Sequence, residues 1–451
     1  MILITALLGC FNLMAQDSTL INKTLVWNLQ QCIDYAKKNN IQINTLRLTQ
    51  KTSEQEYLLA KAGRLPDLSG SATQVLLHNN SGSRSSLIVD SINGTSVLSG
   101  SGSGSRFSTS GQYGLNSSVT LYNGNYINNN IKQKNIAVNS ANLDIQTQEN
   151  DIILQVTQAY LTVLLDKENI ISDTDVVHTS RAQVKLEQQR YDVGSVARKD
   201  LIQLQAQNST DEYTLINARN TERGDLLTLK QLLLLPTESD FDIVKPDSIT
   251  TTSNLAPLRD AVNTALNNRP EVKSSQLGVE IAQFDVKKAS AGYKPTLSAG
   301  ASIGSSYDSG SGYFSQLNNN FFQQVGLTLA VPIFTKRVVK TQVEEAKINV
   351  DQAQLNLSNT KIVLSQSVER AFINVKNAQS QYDAAKDQYQ FNQESYRIAN
   401  EQIKIGASNL VDFLLVKTQF VQAQQAFIQA KYNLLLNLKI YDFYRGLPIT
   451  L

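Results

Sequence analysis

Two hydrophobic periods divide this chain. Over 297–307, Leu297, Ala299, Ala301, Ile303 and Tyr307 alternate with Ser298, Gly300, Ser302, Gly304 and Ser306. Over 324–333, Val325, Leu327, Leu329, Val331 and Ile333 alternate with Gln324, Gly326, Thr328 and Ala330. The same phase runs through 113–121, with Tyr113, Leu115, Val119 and Leu121 set against Gly114, Asn116, Ser118 and Thr120. Alternating segments of about ten residues, apolar on one face and small or polar on the other, are the pattern of a transmembrane β-barrel wall. Strands are therefore expected at about 66–78, 112–122, 295–307 and 323–334, the one after Pro66 being the least regular. A soluble β-sandwich is the competing reading, against which stand the long helical stretches flanking each strand pair. Four strands cannot enclose a lumen, so such a barrel must be shared between chains.

The second period is seven. Ile131, Val138, Ile145, Ile152 and Ala159 recur at heptad spacing, as do Val343, Val350, Leu357, Leu364 and Ala371. Strict sevens demand knobs-into-holes packing along a neighbouring helix. The opposite faces carry Gln, Asn, Lys and Asp and read as solvated. Gly194 is the only glycine between Asn125 and Arg223, and Gly406 the only one between Leu327 and Arg445. Glycine costs a helix interior about 1 kcal/mol and proline ~3, so this depletion is what very long helices require. One helix over 125–193 would run roughly 100 Å.

The two halves of the chain match each other. A shift of 229 residues aligns Leu29 with Leu258, Ala36 with Ala265, Asn39 with Asn268 and Pro66 with Pro295; a shift of 212 aligns Ala159 with Ala371, Gly194 with Gly406 and Asp200 with Asp412. The difference between the shifts falls in the Ser/Gly-rich tract 79–112, read as an extended loop. Each copy thus reads helix, strand, loop, strand, long helix, tight turn, helix. The expected organisation is a signal peptide at 1–16, a first repeat at 17–235, a linker at 236–255, a second repeat at 256–443 and a tail at 444–451. The fold class is mainly α with a membrane β-barrel portion.

Composition narrows the function. With 41 basic and 39 acidic side chains, there is no cationic excess for phosphate neutralisation, so no nucleic-acid partner is expected. Only two His and two Cys are present, and neither His78 nor His178 has a partner His or Cys nearby in the sequence. No enzyme, cofactor or metal site is expected, and with no nucleotide motif the chain itself would be passive. The apolar opening MILITALLGCFNLMAQ resembles a secretory leader cleaved near Gln16, with lipidation at Cys10 the weaker option and a true start upstream conceivable from the missing basic region. Cleavage there leaves Cys32 without a disulfide partner. No later segment has the roughly 18 uninterrupted apolar residues of a helical membrane span.

Two glycine-centred turns remain: Arg190-Tyr191-Asp192-Val193-Gly194-Ser195-Val196, leading to Asp200-Leu201, and Ile403-Lys404-Ile405-Gly406-Ala407-Ser408, leading to Asp412. Glycine can take the left-handed conformation that closes a helix, and an acidic residue in the first turn of the next helix favours its N-terminus. With the opening Trp27-Asn28-Leu29-Gln30-Gln31-Cys32, the Ala159-Tyr160-Leu161 triplet and Gln205-Ala206-Gln207, these turns resemble those of the TolC family of outer-membrane efflux channels, across essentially all of 27–445.

The resemblance implies a homotrimer in which each chain gives four strands to one outer-membrane barrel, set in outer-membrane lipid, and its helices to a periplasmic tunnel. It further implies that Gly194, Ser195, Val196, Gly406, Ala407 and Ser408 lie at tips that contact a periplasmic membrane-fusion adaptor, itself joined to an inner-membrane pump of RND or ABC type. Asp200 and Asp412 become periplasmic gate candidates, although a purely helix-capping role is equally compatible with their positions. The family pattern is broken at Ile403, Ser408 and Leu415, where a gate tyrosine, a linking arginine and a second gate aspartate would stand. The expected function is a passive conduit in efflux or type I secretion. A trimeric coiled-coil structural or adhesive outer-membrane protein is the alternative, though an internal duplication with strands inserted twice between helices does not suit it.

Overall fold

The computed structural model describes residues 25–78, 86–89, 96–99, 107–246, 255–308 and 312–449. The leader-like segment, Cys10, the middle of the linker and most of the Ser/Gly tract lie outside them. The elements run β1 (Leu25–Trp27), α1 (Leu29–Asn39), α2 (Ile41–Ala62), β2 (Ser69–His78), β3 (Ser86–Val89), β4 (Ser96–Ser99), β5 (Phe107–Asn123), α3 (Tyr126–Asp192) and α4 (Arg198–Leu232). They continue with β6 (Phe241–Ile243), α5 (Leu258–Asn268), α6 (Pro270–Ser290), β7 (Thr296–Asp308), α7 (Tyr313–Asn319), β8 (Phe322–Ala330), α8 (Val338–Lys404) and α9 (Leu410–Tyr444). α3 and α8 each have 67 residues, and α4 and α9 each have 35.

The chain forms two compact units that do not follow the repeats: Met1–Asn44, Thr147–Asn268 and Leu364–Leu451 make one, and Thr45–Gln146 with Arg269–Val363 make the other. Each unit draws on both copies.

In the second of these units, four antiparallel strands lie in the order β2-β5-β7-β8. Paired residues share a face. Leu297 with Leu329, Ala299 with Leu327, Ala301 with Val325 and Leu115 with Ile303 make one apolar face, and Ser298 with Thr328, Gly300 with Gly326 and Asn116 with Ser302 make the small, polar one. Leu76, Leu115, Ile303, Val325, Leu327 and Leu329 are all exposed on the isolated chain. Gly304 is required by close packing, since a Cβ there would meet the Tyr113 carbonyl oxygen at 2.7 Å and the Phe322 ring at 2.9 Å.

Several sequence expectations change in detail. β8 ends at Ala330, so Val331 and Ile333 fall outside the strand; Pro332 lacks the N–H that would continue the ladder. β5 begins at Phe107, earlier than the alternation alone suggests, and a register shift between Thr120 and Tyr122 pairs Tyr122 with Leu297, so Leu121 drops out of the ladder. The tract 79–112 is not simply an extended loop, because β3 pairs with β4 inside it. The opening helix of each copy is two helices, α1–α2 and α5–α6, broken at Asn40 and before Pro270.

In the other unit, α1 starts from a reciprocal cap, the Asn28 side chain accepting from the Gln31 N–H while the Gln31 side chain accepts from the Asn28 N–H. β1 pairs in parallel with β6, which lies inside the segment read as linker. Trp27 packs on Tyr35 and Phe241, with centroids at 4.8 and 5.6 Å. Tyr160, Leu161, Leu164, Leu434, Leu435 and Tyr441 fill the core, and the Tyr160 hydroxyl donates to the Val244 carbonyl at 2.7 Å. Leu364, Val368, Ala371, Val375 and Ala378 are buried at alternating spacings of four and three, the seam of a coiled coil. Cys32 is free and buried, and burial pushes its thiol up to about 12.

Candidate functional site

The two helical turns have closely matched geometry. α3 ends at Asp192 and Gly194 adopts φ +77°; α8 ends at Lys404 and Gly406 adopts φ +75°. In the first turn the Gly194 N–H donates to the Tyr191 carbonyl at 2.8 Å and the Ser195 N–H to the Arg190 carbonyl at 2.9 Å. In the second, the Gly406 N–H donates to Ile403 at 3.3 Å and the Ala407 N–H to Gln402 at 2.9 Å. These bonds satisfy helix-end carbonyls that have no partner within the helix, and the left-handed residue makes them possible. A Cβ on either glycine would meet nothing within 4 Å, so backbone conformation alone selects glycine.

A direct bond joins the turns. The Arg190 guanidinium donates through Nη2 to the Lys404 carbonyl at 2.8 Å, with its Nη1 3.5 Å from Glu187. Asp412 sits in the first turn of α9, exposed, where its N–H donates to the Asn409 side chain at 2.8 Å and its carboxylate accepts from Asn409 Nδ2 at 2.5 Å. Asp412 thus takes part in a helix cap. Asp200 occupies the matching position of α4, whose N-cap is Ala197 and offers no side-chain cap. Ser195 Oγ donates to the Arg190 carbonyl at 3.1 Å, and Ser408 Oγ to the Asn409 carbonyl at 3.4 Å. Val196 is half-buried and Ala407 exposed. Of the positions where the family pattern is broken, Leu415 is exposed, and Ile403 lines a mainly apolar cavity of about 230 Å³ together with Leu186, Leu204 and Phe413.

Two residues at these turns escaped the sequence reading. Val193 is 78% exposed and Ile405 80%, each directly before its glycine and 212 residues apart. The repeat contained the signal, since an apolar residue stands at the same place in both turns of a chain whose helices otherwise expose mostly polar groups. The reading of the acidic side chains as solvated is also corrected: Asp166 and Asp173 on α3 are 8% and 5% exposed, and Asp211 on α4 is buried against Lys417. His178 is exposed, and His78 packs against Phe107 with tilted rings and centroids 4.3 Å apart.

The sequence profile of the outer membrane efflux protein family matches residues 32–233 and 261–439. The chain belongs to this family. By that membership it is an outer-membrane protein. It is 23% identical over 319 residues to the outer membrane efflux protein BepC of Brucella suis biovar 1, covering 69% of this chain and 62% of that one. It is 26% identical over 195 residues to the alkaline protease secretion protein AprF of Pseudomonas aeruginosa, covering 42% and 39%. The matched region therefore spans less than two thirds of either relative. In fold it is similar to the Campylobacter jejuni CmeC outer membrane channel, with a TM-score of 0.72 at 21% identity over 93% of this chain and 85% of that one. That likeness establishes the duplicated tunnel fold with its strand pairs.

Proposed function

We propose that the protein is the outer-membrane channel of a tripartite efflux or type I secretion system, a passive conduit leading from a periplasmic adaptor and an inner-membrane pump to the exterior. The observation that carries this reading is the four-stranded sheet within an outer-membrane efflux fold. Its apolar side chains stay exposed on one face, its other face is small and polar, and among the described residues β2 and β8 leave both edges unpaired. Open edges are not tolerated in lipid, so the sheet must close on further copies. Three copies, edge to edge, give a closed wall with lipid outside and a water-filled lumen. Tyr113, Tyr307, Tyr313 and Phe314 cluster at one end of the sheet and Tyr122, Tyr293 and Phe334 lie toward the other, as aromatic girdles at two interfaces do.

The turns at Gly194 and Gly406 are the surfaces offered to the adaptor, with Ser195, Val196, Ala407 and Ser408 beside them and Val193 and Ile405 as their apolar contacts. Asp412, and Asp200 with it, converge as carboxylates at the periplasmic constriction, where rings of acidic side chains favour cations. The pump is of RND or ABC type. Of the similar proteins, one is named for efflux and one for protease secretion.

The test combines two measurements. A deletion strain is assayed for susceptibility to antimicrobial compounds and for its secreted proteins, and the purified chain is reconstituted in planar bilayers. Loss of export together with a cation-preferring conductance that changes in Asp412→Asn is expected. Unchanged export on both counts would remove the conduit assignment, and an unaltered conductance would remove Asp412 from the constriction.

A further inference from the structure

A polar cavity of about 560 Å³ lies among α3, α4 and α9, away from the turns. Its volume is within the range of small-molecule sites. Asp166, Asn169 and Asp173 enter it from α3, Asn217 from α4 and Gln425 from α9. The lining is dominated by oxygen acceptors and carboxamides. Asp166 is 8% exposed and its side chain meets the Asp225 carboxyl of α4, while its Oδ2 is buried and receives no N–H; the Oδ1 of Asn169 is likewise buried and without a donor. Asp173, 5% exposed, receives only a long 3.5 Å contact from Gln425.

The lysines nearby are already engaged. Lys167 lies 3.2 Å from Glu222 and 2.7 Å from Asp242, Lys417 is 2.7 Å from Asp211, and Lys245 and Lys431 are 2.7 and 3.9 Å from Glu168. No described cation pairs with Asp166 or Asp173. Buried carboxylates without a cation are costly; a bound proton relieves that cost at low pH, and once the carboxyl ionises a positively charged ligand carrying N–H donors does so. A bare metal ion does not suit the site, because among the described residues no three His, Cys, Asp or Glu are grouped to hold one. Asp166 and Asp173 are seven residues apart on one helix, about 10 Å along its axis, so a single ligand reaches both only if it is elongated.

We infer that this cavity binds a linear aliphatic diammonium compound, with one ammonium on Asp166 and the other on Asp173, bracing α3 against α4 and α9. The site does not rest on the export reading. Binding is linked to protons. Burial first, and then the carboxyl of Asp225 and the charge of Glu222, push the Asp166 carboxyl up to about 7, and burial also raises Asp173. Other charged groups on the packed helices near these carboxyls include Lys167 and Glu168 on α3, Asp211 on α4, and Lys417 and Lys431 on α9. An arriving ammonium displaces the proton on Asp166, so affinity rises about tenfold between pH 6 and pH 8.

The test is calorimetric titration of the full-length protein in detergent with 1,5-diaminopentane, and with 1-aminopentane as the single-charge control. The expected result is one saturable site per chain, at least tenfold weaker for the monoamine, for Asp166→Asn and for Asp173→Asn, and unchanged in Asp387→Asn, an exposed carboxylate of α8 outside the cavity and the turns. Gln425→Lys supplies a tethered ammonium beside Asp173 and is expected to raise Tm while abolishing the diamine heat; it decides the matter should the double Asp-to-Asn variant fail to fold. Absence of a saturable heat, full binding in the Asp166→Asn, Asp173→Asn double variant, equal affinity for the monoamine, an equal loss in Asp387→Asn, or undiminished diamine binding by Gln425→Lys would each overturn the proposal.

Discussion

Lys417 of α9 donates to Asp211 of α4 at 2.7 Å, and both side chains are almost wholly withdrawn from solvent. The other carboxylate oxygen of Asp211 accepts from Gln207 Nε2 at 2.8 Å, so the pair ties the returning helix of one hairpin to that of the other through a satisfied network. Removing one partner of a buried pair strands the remaining charge and costs about 3–5 kcal/mol, whereas replacing both by apolar groups is often neutral. Lys417→Met is therefore expected to destabilise the protein by that amount in denaturant unfolding, and Lys417→Met with Asp211→Leu to recover most of it. A single-variant loss below about 1 kcal/mol, the range of exposed pairs, would show that water reaches the site.

The second hairpin carries an aromatic ladder that the first lacks. Tyr382, Tyr389 and Tyr396 on α8 alternate with Phe427, Phe420 and Phe413 on α9, and successive ring centroids lie 5.6, 5.2, 6.0, 4.9 and 5.9 Å apart. The matching positions 212 residues earlier are Ile170, Val177, Val184, Leu215, Asn208 and Leu201. Each aromatic pair adds roughly 0.5–1.5 kcal/mol beyond area burial. Phe420 stacks on two tyrosines, so Phe420→Leu is expected to cost about 1–3 kcal/mol and Asn208→Leu much less, read as unfolding midpoints of the two variants. Equal effects would mean that the ladder adds nothing to ordinary packing.

The contrast between these two features shows what the sequence discloses. The strand alternation at Leu327 and Leu329, the heptads and the two tip glycines are local or strictly repeated, so their physics is written in short windows. The Asp211–Lys417 pair joins residues 206 positions apart. On its own helix each looks like any other charge on a polar face, and only packing decides that they are buried. Asp166 and Asp173 were hidden for the same reason, standing among Gln and Asn that elsewhere face water. β1 and β6 are three residues each and lie 216 positions apart at their paired starts, Leu25 and Phe241, too short for periodicity to mark them. Val193 and Ile405 were legible from the repeat, had exposure rather than glycine geometry been sought there.

At the turns, backbone rather than crowding sets the tolerance. Gly406 has φ +75° and open space where a side chain would stand, so a β-branched residue pays in conformation alone, about 1–3 kcal/mol. Gly406→Val is expected to weaken crosslinking to the adaptor while leaving outer-membrane insertion intact, and Gly406→Asn, which tolerates the left-handed region, to behave nearly as the parent. Gly194→Val and Gly194→Asn are expected to divide in the same way. Full export by both valine variants would place the adaptor contact elsewhere.

Asp166 gives the chain a pH dependence of definite sign. Its carboxyl sits at about 7 in the folded protein, chiefly through burial and next through Asp225, against about 3.9 for an unfolded aspartate. Between those values the folded state holds the proton more tightly than the unfolded state, so stability falls as pH rises from about 4 to 7 and then levels off. Asparagine mimics the protonated acid and cannot ionise. Asp166→Asn is therefore expected to match the parent near pH 3.5 and to melt several degrees higher at pH 8, at about 2–4 °C for each kcal/mol. Thermal scans of the two proteins across this range, in the absence of amines, decide the matter: parallel curves would show that the Asp166 carboxylate is solvated in the folded protein.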